Sequence, residues 1–167
     1  RIDIGTNQKI IFERQINMTT IFRRATPADV AAIAAFNQAM AQETENKTLP
    51  TGTILAGVER MISDPSLGFY LVAEADGGPV GCLGITFEWS DWRNGLFWWI
   101  QSVYIDPSYR RQGVFGGLYA HVTELAKNAT DVCGIRLYVE HDNTNAQQTY
   151  LSLGMVETHY KLLEVEF

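Results

Sequence analysis

The segment from Leu96 to Lys127 constrains the fold more than any other part of the sequence, because a strand leads into a helix within it. Leu96 to Ile105 has the composition of a strand, and Pro107 closes it. From Gly113 to about Lys127 the apolar residues recur at helical spacing. A strand that passes directly into a helix predicts an α/β domain, in which helices pack on a sheet.

Further strands and helices are predicted on both sides of this segment. Thr26 and Pro27 are the residue types that begin a helix, and the turn at 76–79 joins two strands into a hairpin. In chain order we predict a strand at 20–24, a helix from Thr26, a helix over 53–62, strands at 69–75, 79–89 and 96–105, a helix over 113–127, a strand at 135–140, a helix over 143–153 and a strand at 160–167. This order predicts a three-layer mixed sheet, mostly antiparallel, flanked by helices.

The composition fits a globular domain and disfavours two classes of partner. The chain has 167 residues, of which 46% are hydrophobic and 19% are charged, and its formal net charge is −6. An acidic balance argues against nucleic acid as a partner, because phosphate backbones select basic surfaces. No apolar run reaches the ~18–20 residues of a membrane helix, and no signal peptide is recognisable. We therefore expect a cytoplasmic protein without a membrane partner.

The first residues and the cysteines carry less information. Residues 1–17 have no clear period, and we interpret them as a leader or an N-terminal extension that precedes a single domain over 18–167. Cys82 and Cys133 are too few for a disulfide scaffold, and the histidines show no metal-ligand spacing with either of them. We expect no metal site.

The turn between the strand and the helix has the residues of an anion site. The first backbone N–H groups of a helix lack intrahelical partners and carry a partial positive charge. Gly113 lets a ligand approach the backbone, and Arg110, Arg111 and Gln112 add hydrogen-bond donors. This combination suits a diphosphate, although a surface loop with two solvated arginines would have a similar sequence.

A second run is found in the predicted helix over 143–153. Asn143, Ala146 and Tyr150 are spaced three and four residues apart, so they share one face of the helix. The phenol could point at whatever lies against that face. A tyrosine in this position is more often a core residue than a catalyst, so this run alone does not establish a site.

Taken together, the two runs resemble the GNAT superfamily of N-acetyltransferases. The pyrophosphate motif of that family, Arg/Gln-x-x-Gly-x-Gly/Ala, corresponds to 110–115, and its Asn-x-x-Ala-x-x-x-Tyr-x-x-x-Gly motif corresponds to 143–154. The resemblance implies acetyl-CoA as cosubstrate, and a sheet in which one parallel pair of strands is splayed at the cofactor site. It assigns cofactor binding to Val103, Tyr104, Ile105, Arg110, Arg111, Gln112, Gly113, Val114, Phe115, Gly116, Asn143 and Tyr150.

The resemblance also implies a reaction. The acceptor would be a small-molecule primary amine that attacks the thioester directly, and Tyr150 would protonate the departing thiolate. Backbone amides of 103–105 would polarise the thioester carbonyl. Because many relatives dimerise through their C-terminal strands, a homodimer is the expected assembly.

The sequence departs from the family at two positions. The second small residue of the pyrophosphate motif is Phe115, whose ring must turn into the core or find room beside the phosphates. The glutamate that many relatives use as base corresponds to Trp99, which cannot accept a proton. Glu88, at the end of the neighbouring strand, is our first candidate for the base. Glu43 and Glu45, on the connection between the first two helices, are weaker candidates, and a water relay is a further alternative.

Four tryptophans, at positions 89, 92, 98 and 99, crowd two adjacent strands. They could pack the sheet, or they could form an aromatic wall that binds an ammonium group by cation–π contact. With Glu88 and Asp91 nearby, we hypothesise a cationic acceptor. The alternative function is a non-catalytic acyl-CoA-binding sensor or scaffold. A nucleotide-binding protein is disfavoured because the chain has no G-x-x-x-x-G-K-[ST] run.

Overall fold

The computed structural model of the chain describes residues 20–165. They fall into two compact units, one that ends at Arg136 and one that begins at Leu137. The predicted leader over 1–17 lies outside the described residues. That residues 18–167 form a single domain stays a prediction.

Among the described residues, five strands form one sheet in the order β1-β2-β3-β4-β5. The first three neighbouring pairs are antiparallel. β4 and β5 form the parallel pair, which confirms the expected mixed sheet. The strands are β1 (Ile21–Arg24), β2 (Gly68–Ala75), β3 (Gly78–Ser90), β4 (Gly95–Ile105) and β5 (Val132–Leu137).

Residues 20–165 contain four α-helices: α1 (Val30–Glu45), α2 (Thr51–Ser63), α3 (Val114–Asn128) and α4 (Thr144–Ser152). A short 3-10 turn, Pro27–Asp29, precedes α1, and a second one, Pro107–Tyr109, follows β4.

Alternation along β2 divides the core into two layers. Val72 packs in one cluster with Ile33 of α1 and Val58 of α2. Leu71 points to the opposite face, and it is fully buried, as is Leu118 of α3, which packs against β2 and β3. Helices therefore cover both faces, as the predicted three layers require.

Two predicted elements, the first helix and the strand after α3, end at different residues in the structure. The helix α1 continues through Glu45, so Glu43 and Glu45 lie on its last turn and not on the connection to α2. Polar residues on an exposed turn do not end a helix that contains no proline or glycine. The strand β5 begins at Val132 and ends at Leu137, so both of its ends lie three residues earlier than expected. The residue just before β5, Asp131, already accepts a hydrogen bond from Leu96 N–H of β4 at 2.7 Å.

The last predicted strand, over 160–167, is wrong as far as the structure describes it. The described part of this segment, 160–165, has no strand. Its apolar residues alternate, but Tyr160 and Leu163 are exposed. A strand needs a neighbour that pairs with its N–H and C=O groups, and alternation in the sequence does not supply one.

Candidate active site

A β-bulge interrupts β4 near its end. Between two paired positions, β3 has one residue, Leu83, whereas β4 has two, Ser102 and Val103. The flanking pairs are Cys82 with Tyr104 and Gly84 with Gln101. Ser102 has a φ of 51°, which is left-handed backbone that non-glycine residues adopt at a cost. Such a bulge disrupts the ladder locally and redirects backbone groups.

Buried polar groups surround this bulge. The Tyr70 hydroxyl forms hydrogen bonds with the side chains of Ser102 and Asn37, and the Cys82 thiol donates to Ser102 O at 3.5 Å. Burial raises the pKa of Tyr70, and it raises the pKa of Cys82 to about 12, so both groups are neutral at physiological pH. These contacts hold Ser102 in its unusual conformation.

The loop after β4 presents backbone N–H groups at the start of α3. Arg111 has a φ of 62° and Gly113 a φ of 82°, and Gly113 is the N-cap of the helix. A Cβ added at Gly113 would meet nothing within 4 Å, so the space beside this backbone is open. The first N–H groups of α3, beginning with Val114, lack intrahelical partners. This geometry is suited to an anion, as the sequence predicted.

The residues around this loop leave room beside the helix start. The ring of Phe115 lies 6.2 Å from that of Tyr119, one turn further along α3, so the unusual benzyl group packs along its own helix. Gly116 has open space where a Cβ would lie. The side chain of Gln112 donates to Ser108 O at 2.7 Å, and this hydrogen bond links the two ends of the loop segment 108–112.

The side chain of Arg110 binds other parts of the protein. Its Nε donates to Ile105 O at 2.8 Å, and its Nη2 donates to Glu43 Oε2 at 2.7 Å. The Tyr104 hydroxyl donates to the other oxygen, Glu43 Oε1, at 3.0 Å. Burial, and then Glu43, raise the pKa of Tyr104. In this arrangement Arg110 fixes the end of α1 to the end of β4. Both arginines of the loop are exposed, but Arg110 is engaged with Glu43, so Arg111 is the better placed of the two to bind a ligand.

Glu88, the first candidate for the base, has a partner on each oxygen. Trp99 Nε1 donates to its Oε2 at 2.6 Å, and Arg136 Nη1 donates to its Oε1 at 2.6 Å. Glu88 pairs with Phe97 across the strands, and its side chain reaches along the sheet to the indole of Trp99. Its carboxylate therefore lies beside Trp99, the position at which the resemblance to the family placed the base.

The four tryptophans differ in burial. Trp98 is buried and its ring meets Phe69 edge to face at 5.1 Å, which is sheet packing. Trp99 lies on the opposite face with Glu88. Trp89 and Trp92 are 58% and 87% exposed near the β3–β4 turn. The tryptophans therefore do not form one wall.

The unit that begins at Leu137 holds the second motif. The Asn143 side chain accepts a hydrogen bond from Ala146 N–H at 3.1 Å, so this residue caps α4. Burial raises the pKa of Tyr150, which keeps its phenol protonated at neutral pH. Gly154 has a φ of 88° after the end of the helix.

Sequence reasoning missed two residues of this region. The bulge at Ser102 has no glycine or proline as a local signal in the sequence. The bulge depends on the register between β3 and β4, which the sequence does not show. Arg136 was not singled out, although the alternation of Ile135, Arg136 and Leu137 was a signal that a charge lies on one face of a strand.

Within residues 20–165 no group of three or more His, Cys, Asp or Glu side chains could hold a metal ion. Over the same residues no helix is long and apolar enough to cross a membrane.

Known proteins share this fold, and one family model matches most of the chain. Residues 29–155 match the family described as "Acetyltransferase (GNAT) family". A possible acetyltransferase from Clostridium difficile 630 is 41% identical, with a TM-score of 0.84 over 89% of this chain and 97% of that one. None of the curated proteins matches the sequence.

Two more distant solved structures share the fold. One is a predicted acetyltransferase with acetyl-CoA from Clostridium acetobutylicum, 16% identical, with a TM-score of 0.73 over 89% of this chain and 96% of that one. The other is a transcriptional regulator from Bacillus halodurans C-125, 20% identical, with a TM-score of 0.75 over 89% and 99%. The family match spans the bulged strand, the loop before α3 and Tyr150, and the chain therefore belongs to the acetyltransferase (GNAT) family.

Proposed function

We propose that the protein transfers an acetyl group from acetyl-CoA to the nitrogen of a small primary amine. The observation that carries this proposal is the continuous run from the bulge at Ser102–Val103 to the open helix start at Gly113. At the bulge, backbone groups of β4 are displaced from the ladder with β3. At the helix start, backbone N–H groups are free to bind an anion. A solved relative with the same fold holds acetyl-CoA, which adds support.

The helix start and Arg111 would bind the diphosphate of the cosubstrate. Backbone N–H groups of 103–105 would bind its pantetheine arm and polarise the thioester carbonyl. Bound acetyl-CoA supplies an activated acetyl group. Arg110, which already binds Glu43, would act by holding the loop in place.

The acceptor must lose a proton before it reacts, because an amine with a pKa near ~10 is almost entirely ammonium at neutral pH. Glu88 is the proposed acceptor of that proton. The amine nitrogen then forms a bond with the carbonyl carbon, the carbon–sulfur bond breaks, and Tyr150 gives its proton to the thiolate. The nitrogen gives up its second proton, which restores the Tyr150 phenol. The products are an acetamide, CoA and one proton released to solvent.

The distance along β4 favours a water between Glu88 and the amine. Trp99, whose indole binds the Glu88 carboxylate, precedes Val103 by four residues, which is roughly 13 Å of strand. The acetyl group and the acceptor would occupy part of this length, and a water would bridge the remaining gap to the Glu88 carboxylate. Glu43 is the alternative base, since it binds Tyr104 next to the bulge.

The proposal is tested by measuring CoA release from acetyl-CoA with a panel of primary amines. Tyr150→Phe should lower kcat by about 100-fold or more, as expected for loss of a general acid. Tyr160→Phe is the matched control, because this exposed tyrosine of the same unit should leave kcat unchanged. Comparison of Glu88→Gln with Glu43→Gln then identifies the base by the larger loss of kcat.

Two results would contradict this reading. Binding of acetyl-CoA without turnover on any amine would favour the sensor or scaffold. Full activity of Tyr150→Phe would remove the phenol from the reaction.

A further inference from the structure

We propose that the acceptor carries a carboxylate as well as its amine, and that Arg136 binds this carboxylate. The inference rests on the proposed acetyl transfer, and it names the acceptor class as a small zwitterion of the amino-acid type. It refines the hypothesis of a cationic acceptor, which was based on Glu88 and Asp91 without the arginine beside them.

Arg136 lies on a sheet face that leads to the bulge. Residues directly opposite each other in antiparallel strands share a face. Glu88 pairs with Phe97, and Thr86 pairs with Trp99, so these four side chains belong to one face. Their row ends at the bulge. Arg136 joins this face from β5, because its guanidinium carbon lies 3.6 Å from the centre of the Phe97 ring.

The contacts of Arg136 orient it for recognition. Stacking on Phe97 fixes the plane of the guanidinium, and the Nη1 hydrogen bond to Glu88 fixes its rotation. A guanidinium has about five N–H donors in a rigid fork, so further donors remain beyond the one at Glu88. Such a fork matches the two oxygens of a carboxylate. The side chain is 28% exposed, so a ligand can reach it.

The charges of the pair explain why a zwitterion fits better than a simple amine. Glu88 attracts an ammonium group, but Arg136, whose Nη1 is 2.6 Å from the carboxylate, repels the same group. A ligand with both charges meets an opposite charge at each. A carboxylate has about four lone-pair positions, so Glu88 can accept from the water that bridges to the ammonium group while it keeps its bonds to Trp99 and Arg136.

A purely structural ion pair is the competing explanation. Partly exposed ion pairs contribute little stability, so stability alone is a weak reason for this pair. The arginine of the pair is also held on the Phe97 ring, within the face that leads to the bulge. The two explanations differ in one measurable respect. A structural pair gives no preference for ligands that contain a carboxylate.

The test measures binding by calorimetry to the full chain saturated with CoA, which is not an acetyl donor. Each ligand is an amino acid or its carboxamide, which keeps the amine and removes the negative charge. We expect the best amino acid to bind about 10- to 100-fold more tightly than its carboxamide. In Arg136→Gln the two ligands should bind equally. In Arg136→Lys most of the preference for the amino acid should be lost, because lysine lacks the planar fork.

Arg93→Gln is the matched control. Arg93 also lies over the Phe97 ring, at 5.1 Å, but it belongs to the exposed β3–β4 turn. This variant should keep the preference for the amino acid. If Arg136→Gln does not fold, Arg136→Lys still decides, because it keeps the positive charge and removes the planar fork.

Equal binding of amino acids and carboxamides, binding of neither, or an unchanged ratio in Arg136→Gln would overturn the inference. Turnover of carboxamides and plain amines alone would also overturn it, while acetyl transfer itself would stand. An Arg136-dependent preference in a protein that acetylates no primary amine would support the carboxylate site and overturn the proposed function.

Discussion

Asp29 is a buried carboxylate whose charge is tied to the fold. It is 3% exposed, and it accepts hydrogen bonds from Arg23 Nη1 at 2.8 Å, from Arg23 Nη2 at 3.0 Å and from Thr26 N–H at 2.7 Å. The guanidinium of Arg23, together with Thr26, holds the pKa of Asp29 below its usual range. Such a group stabilises the protein above its unfolded pKa, near ~3.9, and the contribution is lost as pH falls through the lower folded value.

We expect Asp29→Asn to lower the free energy of unfolding by about 1–3 kcal/mol at pH 7, because hydrogen bonds to a charged group are lost. The difference from the parent protein should shrink as pH falls below about 4, where Asp29 itself becomes protonated. Urea unfolding at several pH values measures both effects. Glu59→Gln, on the exposed side of α2, is the control and should track the parent. If the difference in the free energy of unfolding between Asp29→Asn and the parent stays constant from pH 7 to pH 2, this account of Asp29 is contradicted.

At the scale of elements, the entry into β2 depends on one glycine. Gly68 has a φ of 147°, and a Cβ there would lie 2.0 Å from the backbone oxygen of Ile85 on β3. Gly78 begins β3 in the same way, but a Cβ there would meet nothing within 4 Å, and its φ is not positive. The two strand starts therefore form a matched pair.

We expect Gly68→Ala to lower the free energy of unfolding by about 1–3 kcal/mol or more, because strained backbone and a backbone clash act together. Gly78→Ala should be neutral or stabilising by up to about 1 kcal/mol, since it only restricts the unfolded chain. Thermal and urea unfolding of both variants measure the difference. Equal effects of the two substitutions would show that the β2–β3 register tolerates a side chain at Gly68.

Elements defined by local patterns could be predicted from the sequence, and features defined by pairing could not. The loop before α3 was found because proline, two arginines and Gly113 are neighbours in the chain. The bulge at Ser102 and the contact of Glu88 with Arg136 depend on which strands lie side by side, and their residues are far apart in sequence. For the same reason alternation over 160–167 predicted a strand that 160–165 do not form. Candidate site residues were thus found singly, while their partners required the structure.

At the scale of the whole molecule, CoA binding should be coupled to stability. A ligand that binds only the folded state at 100 times its Kd raises the free energy of unfolding by about 2.7 kcal/mol. The proposed diphosphate site joins the end of β4 to the start of α3, and α3 buries Leu118 and Val122 in the core. Occupation of this loop should therefore oppose unfolding of the sheet together with the helix.

We expect CoA to raise the melting temperature of the parent protein in a concentration-dependent manner. Arg111→Ala should melt at nearly the parent temperature without ligand, because its side chain is exposed, yet it should need about 10-fold more CoA for the same shift. Arg60→Ala, which removes an exposed arginine from the last turn of α2, should need no more CoA than the parent. If CoA does not change the melting temperature of the parent protein, the helix start is excluded as a diphosphate site. An equal loss in both variants would mean that the overall charge of the protein, and not the loop before α3, governs the binding of this anion.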